Sequence, residues 1–321
     1  MGAYVSRRIL LMIPTALLVT FVVFFSVRFI PGHVIELMVF DLQAGAGQEQ
    51  QVTIESLKRT LGLDKPLHVQ YVHWLGDLVQ GDLGTSLWSR EPVREEIFDR
   101  LAVSLELGLI AVISGLLLSV SVGVYSAMRQ DTAGDYLART LAILAISLPS
   151  FWIGTMVIVY PSIWWNWTPV LEFIPITEDL WGNLAQCAIP GIILGMVLSG
   201  TTMRMTRTMM LEVLRQDYIR TAWSKGLREK IIILRHAMKN AMIPVVTLVG
   251  LQLPILIGGT VIVEQIFNLP GIGRLMLEAL TRRDYPIISG INVVLAAFVL
   301  VVNLLIDLTY AYLDPRIRIN K

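Results

Sequence analysis

The chain has 321 residues, of which 55% are hydrophobic and only 16% charged, and its formal net charge is +1. Soluble domains carry about 25% charged residues, so this composition indicates an integral membrane protein surrounded by lipid. The near-neutral charge gives no sign of nucleic-acid binding, and we expect no nucleic-acid partner. The single cysteine, Cys187, excludes an intrachain disulfide and a cysteine-cluster metal site.

Six stretches of the chain are long and apolar enough to cross a bilayer as helices, which takes about 20 residues each. They lie near residues 9–30, 103–127, 139–164, 186–206, 243–264 and 287–312. Arg7 and Arg8 precede the first stretch as in an export signal, but no small-residue cleavage site follows Phe29-Ile30-Pro31. We therefore predict that the first stretch is retained as a membrane helix.

Lysine and arginine are unevenly distributed between the two sides of these predicted helices. If the N-terminus is inside, the cytoplasmic segments hold 16 of them and the two short outer loops hold 3. Basic residues concentrate in the cytoplasmic loops of membrane proteins. We therefore predict a multi-pass protein of the inner (cytoplasmic) membrane, with both termini in the cytoplasm and a long basic cytoplasmic loop at residues 207–242.

The predicted helices divide the chain into four parts. Residues 1–30 form a short tail and the first membrane helix, and residues 31–100 an external insertion. Residues 101–314 form a core of five helices that includes the cytoplasmic loop, and residues 315–321 a cytoplasmic tail. Two interpretations of the insertion remain open: a cap over the outer mouth, or a surface that helps to receive substrate from an external carrier.

Within the insertion, Thr53 can cap a short helix that ends at Gly62. After Pro66, apolar residues recur at the spacing of a second helix, namely Leu67, Tyr71, Leu75 and Leu78. A turn is predicted at 81–84, and Pro92 is well placed as the first residue of a helix that continues into the second span.

The basic cytoplasmic loop contains a short helical pattern. Tyr218, Ala222 and Gly226 lie four residues apart and share one face of a helix. A tyrosine beside two small residues makes a shallow surface on which another backbone can approach closely, and Gly226 can end the helix in a left-handed conformation. We expect the neighbouring apolar stripe to rest against the underside of the membrane bundle. That stripe consists of Ile219, Trp223 and Leu227.

A second amphipathic stretch follows, and we predict that it ends at Pro244. Its basic residues are Lys225, Arg228, Lys230, Arg235 and Lys239. From the pattern alone, two interpretations of the loop remain open. Its first helix either docks a soluble partner or rests as a basic interfacial helix on anionic lipid.

The segment Arg220-Thr221-Ala222-x3-Gly226 resembles the coupling segment of bacterial ABC-importer permeases, whose general form is Glu-Ala-Ala-x3-Gly. The chain departs from that form at Arg220 and Thr221. The version found here, Tyr-x-Arg-Thr-Ala-x2-Lys-Gly, is similar to that of the peptide/nickel permease branch.

The resemblance extends over nearly the whole chain. It is carried by Leu61-Gly62-Leu63-Asp64-x-Pro66, Gln70-Tyr71-x2-Trp74, Gly81-Asp82-Leu83-Gly84-x-Ser86, Pro92-Val93, Leu148-Pro149-Ser150-Phe151-Trp152, Arg235-His236-Ala237-x2-Asn240-Ala241-x-Ile243-Pro244, Val263-Glu264-x2-Phe267-x-Leu269-Pro270-Gly271-Ile272-Gly273 and Asp314-Pro315-Arg316. In this order the motifs resemble the first, B-type permease of a dipeptide/oligopeptide importer. One departure is Pro31-Gly32-His33-Val34, where Pro-Gly-Asp-Pro is common.

This resemblance implies an all-α membrane protein with six transmembrane helices of the MetI-like importer-permease type and a periplasmic insertion after the first helix. It also implies three kinds of partner: a second homologous permease, two ATPase subunits that hold the ATP and Mg, and an extracytoplasmic substrate-binding protein. The implied mechanism is alternating access. Dipeptides or oligopeptides are the implied substrates, with nickel chelates, glutathione and oligosaccharides as alternatives.

The residues that match the coupling segment are expected to contact the ATPase. They are Tyr218, Arg220, Thr221, Ala222, Lys225 and Gly226. Polar residues within the predicted spans form a second candidate set: Glu106, Asn303 and Asp307. A carboxylate in mid-bilayer costs roughly 2.5–3.5 kcal/mol, so each should face protein or water. They are expected either to lie at an interface or bond another helix, or to line the pore or outer gate.

No enzyme signature is present in the sequence. There is no Gly-Lys dipeptide, so the chain cannot form a P-loop, and we expect it to bind no cofactor. Its four histidines, His33, His68, His73 and His236, lack metal-ligand spacing.

The rival classes are a stand-alone secondary transporter, a channel and an intramembrane enzyme. A secondary transporter would work without ATPase subunits.

Overall fold

The structure is a computed structural model that describes residues 2–29, 64–168 and 172–313. In this part of the chain the regular elements are helices, joined by turns and irregular segments, with one β-bridge between Thr85 and Pro92. The helices are α1 (Gly2–Arg28), α2 (Leu67–Val79), α3 (Val93–Met128), α4 (Ala133–Ser147), α5 (Ser150–Trp165), α6 (Leu180–Leu214), α7 (Asp217–Ser224), α8 (Met238–Ile266), α9 (Ile272–Arg282) and α10 (Tyr285–Leu313). The helix predicted after Thr53 and the predicted tail 315–321 lie outside the described residues.

Helices long and apolar enough to cross a membrane dominate the described residues. Five such spans are found, and the pair α4–α5 makes a sixth if it is counted as one bent span. The spans lie at Ser6–Arg28, Val93–Met128, Leu180–Leu214, Glu229–Pro254 and Tyr285–Thr309. The all-helical membrane class predicted from the sequence is thereby confirmed.

The predicted third span, 139–164, is not one straight helix. Its two halves, α4 and α5, are bent by 96° at a short break. Leu148 and Pro149 have extended backbone conformations, with ψ angles of 124° and 135°. A proline disfavours the helical conformation of the residue before it and has no N–H to continue the ladder. The Leu148-Pro149 pair therefore divides the apolar stretch.

The prediction that the second amphipathic stretch ends at Pro244 is also wrong. A turn at Glu229–Ile231 and a π-helix at Ile232–Ala237 lead into α8, which continues through Pro244. An interior proline costs a helix about 3 kcal/mol. Ala241 and Val245, on either side of it, are 0% and 1% exposed. The helix thus continues through the proline where its neighbours are packed in the interior.

The chain forms two compact units. One contains residues 1–101 and 275–304, and the other contains residues 102–274 and 305–321. In the first unit, α2 packs on the end of α1 through the rings of Phe24, Tyr71 and Trp74, with centroids 5.4–6.3 Å apart. The predictions of a helix after Pro66 and of a turn at 81–84 are confirmed, because α2 begins at Leu67 and both turn glycines have positive φ.

The second unit is built around α6, which packs against α4, α5 and α8. Leu107, Leu194 and Leu198 are buried in its core. Glycine lets α3 and α6 approach closely, because a Cβ added to Gly195 would lie 2.7 Å from the carbonyl oxygen of Ala111. The close approach gives the second unit a tightly packed interior.

Candidate coupling site

The short helix α7 begins at Asp217 and ends at Ser224. Its C-terminus carries two cross-bonds: Gly226 N donates to Trp223 O at 2.9 Å, and Leu227 N donates to Ala222 O at 3.4 Å. This pair of bonds is a Schellman motif, which requires a left-handed residue. Gly226 supplies it with a φ of +71°. The predicted left-handed end of the helix is confirmed.

Helix α7 is attached to the bundle through Ile219 and Ala222, which are 0% and 7% exposed. Both belong to a buried cluster with Met210, Ile232 and Ala241. The methyl side chain of Ala222 lets the α7 backbone lie close to the cluster. Ile219 is thus the large apolar side chain of the buried pair that attaches α7 to the bundle.

The predicted division of α7 into two faces therefore needs correction. Ala222 was expected on the exposed surface and is buried, whereas Trp223 was expected against the bundle and is 46% exposed. The exposed surface of α7 and the residues that follow it consists of Asp217, Tyr218, Arg220, Thr221, Trp223, Ser224, Lys225 and Gly226.

A hydrogen bond links α7 directly to α8. Asn240 Nδ2 donates to the hydroxyl oxygen of Tyr218 at 2.8 Å. No role was predicted for Asn240, although the residue lies in one of the resemblance motifs. Within α7, Thr221 Oγ1 donates to the carbonyl oxygen of Asp217, four residues earlier, at 3.0 Å. Of the predicted coupling residues, the structure thus brings Tyr218 and Thr221 into defined hydrogen bonds.

The charges on α7 remain largely in solvent. Arg220 Nη1 lies 3.4 Å from Asp217 Oδ1, but the two side chains are 74% and 94% exposed. Exposed ion pairs contribute about 0–1 kcal/mol, so this pair can open at little cost. Lys225 and Gly226 are also exposed, and nothing lies within 4 Å of a Cβ added to Gly226. The exposed surface of α7 is therefore basic and accessible, and at Gly226 it carries no side chain.

A buried ion pair missed by the sequence analysis lies in the same unit as α7. Arg207 on α6 donates to Asp135 on α4 through Nε at 2.8 Å and Nη2 at 2.7 Å. The Asp135 side chain is 0% exposed and also accepts hydrogen bonds from Ser126 Oγ and Asp131 N. The pair joins the ends of α3, α4 and α6. One available signal was the capped start of α4, where Thr132 precedes Asp135 by three residues.

The polar residues predicted in the spans have different surroundings. Glu106 on α3 is half-buried, and its Oε2 accepts a hydrogen bond of 3.3 Å from Asn183 Nδ2 on α6. Asn183 also donates to Ile174 O at 3.0 Å. On α10, Asn303 is exposed and Asp307 is half-buried, one turn apart. Glu106 thus bonds another helix, and a pore or gate role for these three residues stays a prediction.

Apolar spanning helices with a short exposed helix on a basic loop are the architecture of a multi-pass membrane protein. Residues 119–319 match the family described as binding-protein-dependent transport system inner membrane component. Residues 1–108 match the family of its N-terminal part. The chain belongs to the binding-protein-dependent transport system inner membrane components.

Full-length relatives carry names of peptide transport systems. The chain is 39% identical to the dipeptide transport system permease protein DppB of Escherichia coli K12, over 99% of both chains. It is 38% identical to the oligopeptide transport system permease protein AppB of Bacillus subtilis, over 99% of both chains. It is also 38% identical to the glutathione transport system permease protein GsiC of Salmonella typhimurium, over 98% of both chains.

A solved structure shares the fold. It is described as an amino acid ABC transporter with histidines, and the likeness has a TM-score of 0.52 at 14% identity, covering 68% of this chain and 94% of that chain. At this identity the likeness shows the fold alone. Family membership makes the chain a permease component of the inner membrane rather than an enzyme, and implies partners that bind the substrate and hydrolyse ATP.

Proposed function

We propose that the chain is the transmembrane permease of an ATP-driven importer for dipeptides or oligopeptides delivered by a substrate-binding protein. In this proposal it forms half of the translocation pore with a second, homologous permease, and two ATPase subunits contact its cytoplasmic face. The names of the DppB and AppB relatives support the peptide substrate. The exposed helix α7 carries the coupling part of the proposal.

Coupling requires that ATP binding changes the relative stability of two pore conformations. With both termini in the cytoplasm, α7 faces the ATPases. ATP binding closes the ATPase dimer and moves α7, whose buried contacts and Tyr218–Asn240 hydrogen bond connect it to the bundle. That movement opens the pore outward to the binding protein. Hydrolysis then resets the pore inward, and the peptide enters the cytoplasm.

The surface of α7 supports the ATPase-contact roles proposed for its residues. Arg220, Thr221 and Lys225 are exposed, and Tyr218 is 43% exposed. Gly226 presents a backbone without a side chain in open space. Ala222 contributes differently, because its burial sets how closely α7 lies on the bundle. A partner backbone can therefore reach the end of α7 without meeting a side chain at Gly226.

A second candidate substrate is glutathione, which the 38% identical GsiC relative supports by its name. Glutathione is a tripeptide with one γ-linked bond, and like ordinary peptides it carries a charged amino group and a C-terminal carboxylate. Nickel chelates and oligosaccharides remain alternatives that rest on the family resemblance. Competition for uptake by each compound, in the complete transporter, ranks them directly.

Reconstitution tests the proposed function. The purified subunit alone in vesicles should neither hydrolyse ATP nor accumulate a radiolabelled dipeptide. Addition of the second permease, the ATPases and the binding protein should restore both activities. Accumulation by the lone subunit under a proton or sodium gradient would instead support a secondary transporter.

A further inference from the structure

The segment that joins α7 to α8 carries an excess of positive charge. It covers residues 228–239, and its cations are Arg228, Lys230, Arg235 and Lys239. Its only acidic residue is Glu229. All four cations are exposed, and none of them forms an ion pair with another of the described residues. Their charge is therefore available to an anionic partner outside this part of the chain.

The same segment has exposed apolar side chains beside its cations. Ile232 is 0% exposed and belongs to the buried cluster that attaches α7. Ile231 and Leu234, in contrast, are 41% and 51% exposed. A four-residue spacing places Ile231, Arg235 and Lys239 on one side of the helical segment, and Leu234 flanks them. The outer face of the segment therefore combines apolar and basic side chains.

The charge pattern of α8 indicates where this face lies relative to the membrane. The spanning helix that contains it runs from Glu229 to Pro254 by length and composition. Residues 240–263 carry no charged side chain. A helix needs about 20 residues to cross the hydrocarbon core of a bilayer. The charge-free stretch is long enough for that crossing, so Lys239 and the residues before it lie in the headgroup layer.

We propose that residues 228–239 bind the headgroups of anionic phospholipids. Guanidinium and ammonium groups form charge-assisted hydrogen bonds with lipid phosphates. Ile231 and Leu234 enter the boundary between headgroups and acyl chains, as the apolar face of an interfacial helix does. Clusters of basic residues next to a spanning helix recognise anionic lipid by this combination.

This lipid contact divides the basic loop into two parts with different surroundings. The 228–239 segment lies on lipid, whereas α7 keeps its charged surface in solvent. Lipid therefore holds the start of α8 at the membrane surface. The proposal concerns the chain by itself and does not rest on a peptide substrate or on ATPase coupling.

A fluorophore at position 231 tests the contact in the full-length chain in nanodiscs. Ile231→Cys is made in a Cys187→Ala background, which removes the buried native cysteine, and is labelled with the apolar fluorophore bimane. Quenching is compared between phosphatidylglycerol and phosphatidylcholine at equal mole fraction, each with a spin label at the top of an acyl chain. Ser224→Cys, on the exposed surface of α7, is the reference position.

Two double variants of the labelled chain test the role of charge. Arg235→Gln with Lys239→Gln removes two cations of the proposed lipid face. Arg220→Gln with Lys225→Gln is the matched control, because it removes two exposed cations of the same loop from the α7 surface. The readout is the ratio of quenching by phosphatidylglycerol to quenching by phosphatidylcholine.

We expect phosphatidylglycerol to quench the label at position 231 more strongly than phosphatidylcholine does, and neither lipid to quench position 224 strongly. Loss of Arg235 and Lys239 should reduce the preference for phosphatidylglycerol by about fivefold or more, because basic groups at the surface attract anionic lipid. The control pair should keep it within about twofold, because this attraction falls off with distance from the surface.

Equal quenching by the two lipids at position 231 would overturn the proposal, as would an equal loss of preference in the two double variants. Absence of quenching by either lipid would also overturn it, by placing this face outside the membrane. The labelled chain is measured again after its partner subunits are added. Loss of quenching on assembly would identify the face as a subunit interface and would contradict the lipid assignment.

Discussion

The hydroxyl oxygen of Tyr218 on α7 accepts a hydrogen bond from Asn240 on α8 at 2.8 Å. Directly beside this bond, Ile219 is fully buried in the cluster that also contains Ala241 of α8. A hydrogen bond and a shared buried cluster therefore connect α7 to the same helix. Helix α8 then runs from Met238 to Ile266. A displacement of α7 by a partner has a direct physical route into a membrane-spanning helix.

Removal of the Tyr218 hydroxyl should weaken this route without unfolding the protein. A hydrogen bond contributes about 0.5–1.5 kcal/mol, which corresponds to roughly two- to tenfold in an equilibrium. In Tyr218→Phe we expect peptide uptake per ATP hydrolysed to decrease by roughly two- to tenfold, with the ATPases still bound. Tyr136→Phe, at a 55% exposed tyrosine of α4, is the control. An unchanged ratio of uptake to hydrolysis in Tyr218→Phe would contradict the proposed route.

The buried pair of Asp135 and Arg207 should matter for stability. Loss of one partner of a buried ion pair leaves an uncompensated charge and costs about 3–5 kcal/mol. Asp135→Ala should therefore lower the thermal unfolding temperature of the purified subunit clearly. Asp217→Ala breaks the exposed pair with Arg220 and should cost about 1 kcal/mol or less. Equal unfolding temperatures for the two variants would show that the buried pair does not stabilise the fold.

Much of this architecture follows from the sequence because its signals are local. Long continuous apolar stretches predict the spanning helices. A glycine at position 226 predicts the left-handed residue that ends α7. The interruption at Leu148-Pro149 was missed because the apolar stretch continues on both sides of the proline. Helix α9 was missed because it is too short and amphipathic to appear as a span.

Contacts between residues distant in sequence could not be predicted in the same way. Asp135 and Arg207 are separated by 72 positions, and only the packing of α4 against α6 brings them together. The exposed and buried faces of α7 likewise depend on how closely its backbone approaches the bundle. Spacing alone predicted a shared face for Tyr218 and Ala222, and burial separates them.

Glu264 should hold the start of α9. This fully buried carboxylate accepts from Ser104 Oγ at 2.6 Å and from Arg274 N at 3.0 Å. A Cβ on Gly271 would overlap the Glu264 carboxyl group. Gly271→Ala should therefore accelerate hydrogen exchange of the amides of 272–282. Gly258→Ala is the matched control, since nothing lies within 4 Å of a Cβ there. Slow exchange in both variants would refute the role assigned to Glu264.

Membrane orientation is testable by thiol labelling in a Cys187→Ala background, which removes the buried native cysteine. Thr177 and Ser224 are both exposed, and each is replaced by cysteine in turn. An impermeant thiol reagent should label position 177 in intact cells, and position 224 only after permeabilisation, because basic loops stay inside. Labelling of position 224 in intact cells would reverse the predicted topology.

We propose that α7 carries the ATPase contact, and replacement of Gly226 tests this contact. Gly226 and Gly81 have φ angles of +71° and +81°, and a Cβ at either position meets nothing within 4 Å. Replacement by aspartate therefore imposes similar backbone strain at both sites. Only Gly226 lies on the proposed contact surface. Gly81→Asp thus controls for strain and added charge.

The decisive measurement is the amount of ATPase that copurifies with each variant, together with peptide-stimulated ATP hydrolysis in the reconstituted transporter. We predict that Gly226→Asp inserts normally but loses bound ATPase or stimulation by about tenfold or more, because a buried unpaired charge and a new side chain oppose backbone contact. Gly81→Asp should retain both properties. Full copurification and normal peptide-stimulated hydrolysis in Gly226→Asp would show that α7 does not carry the ATPase contact.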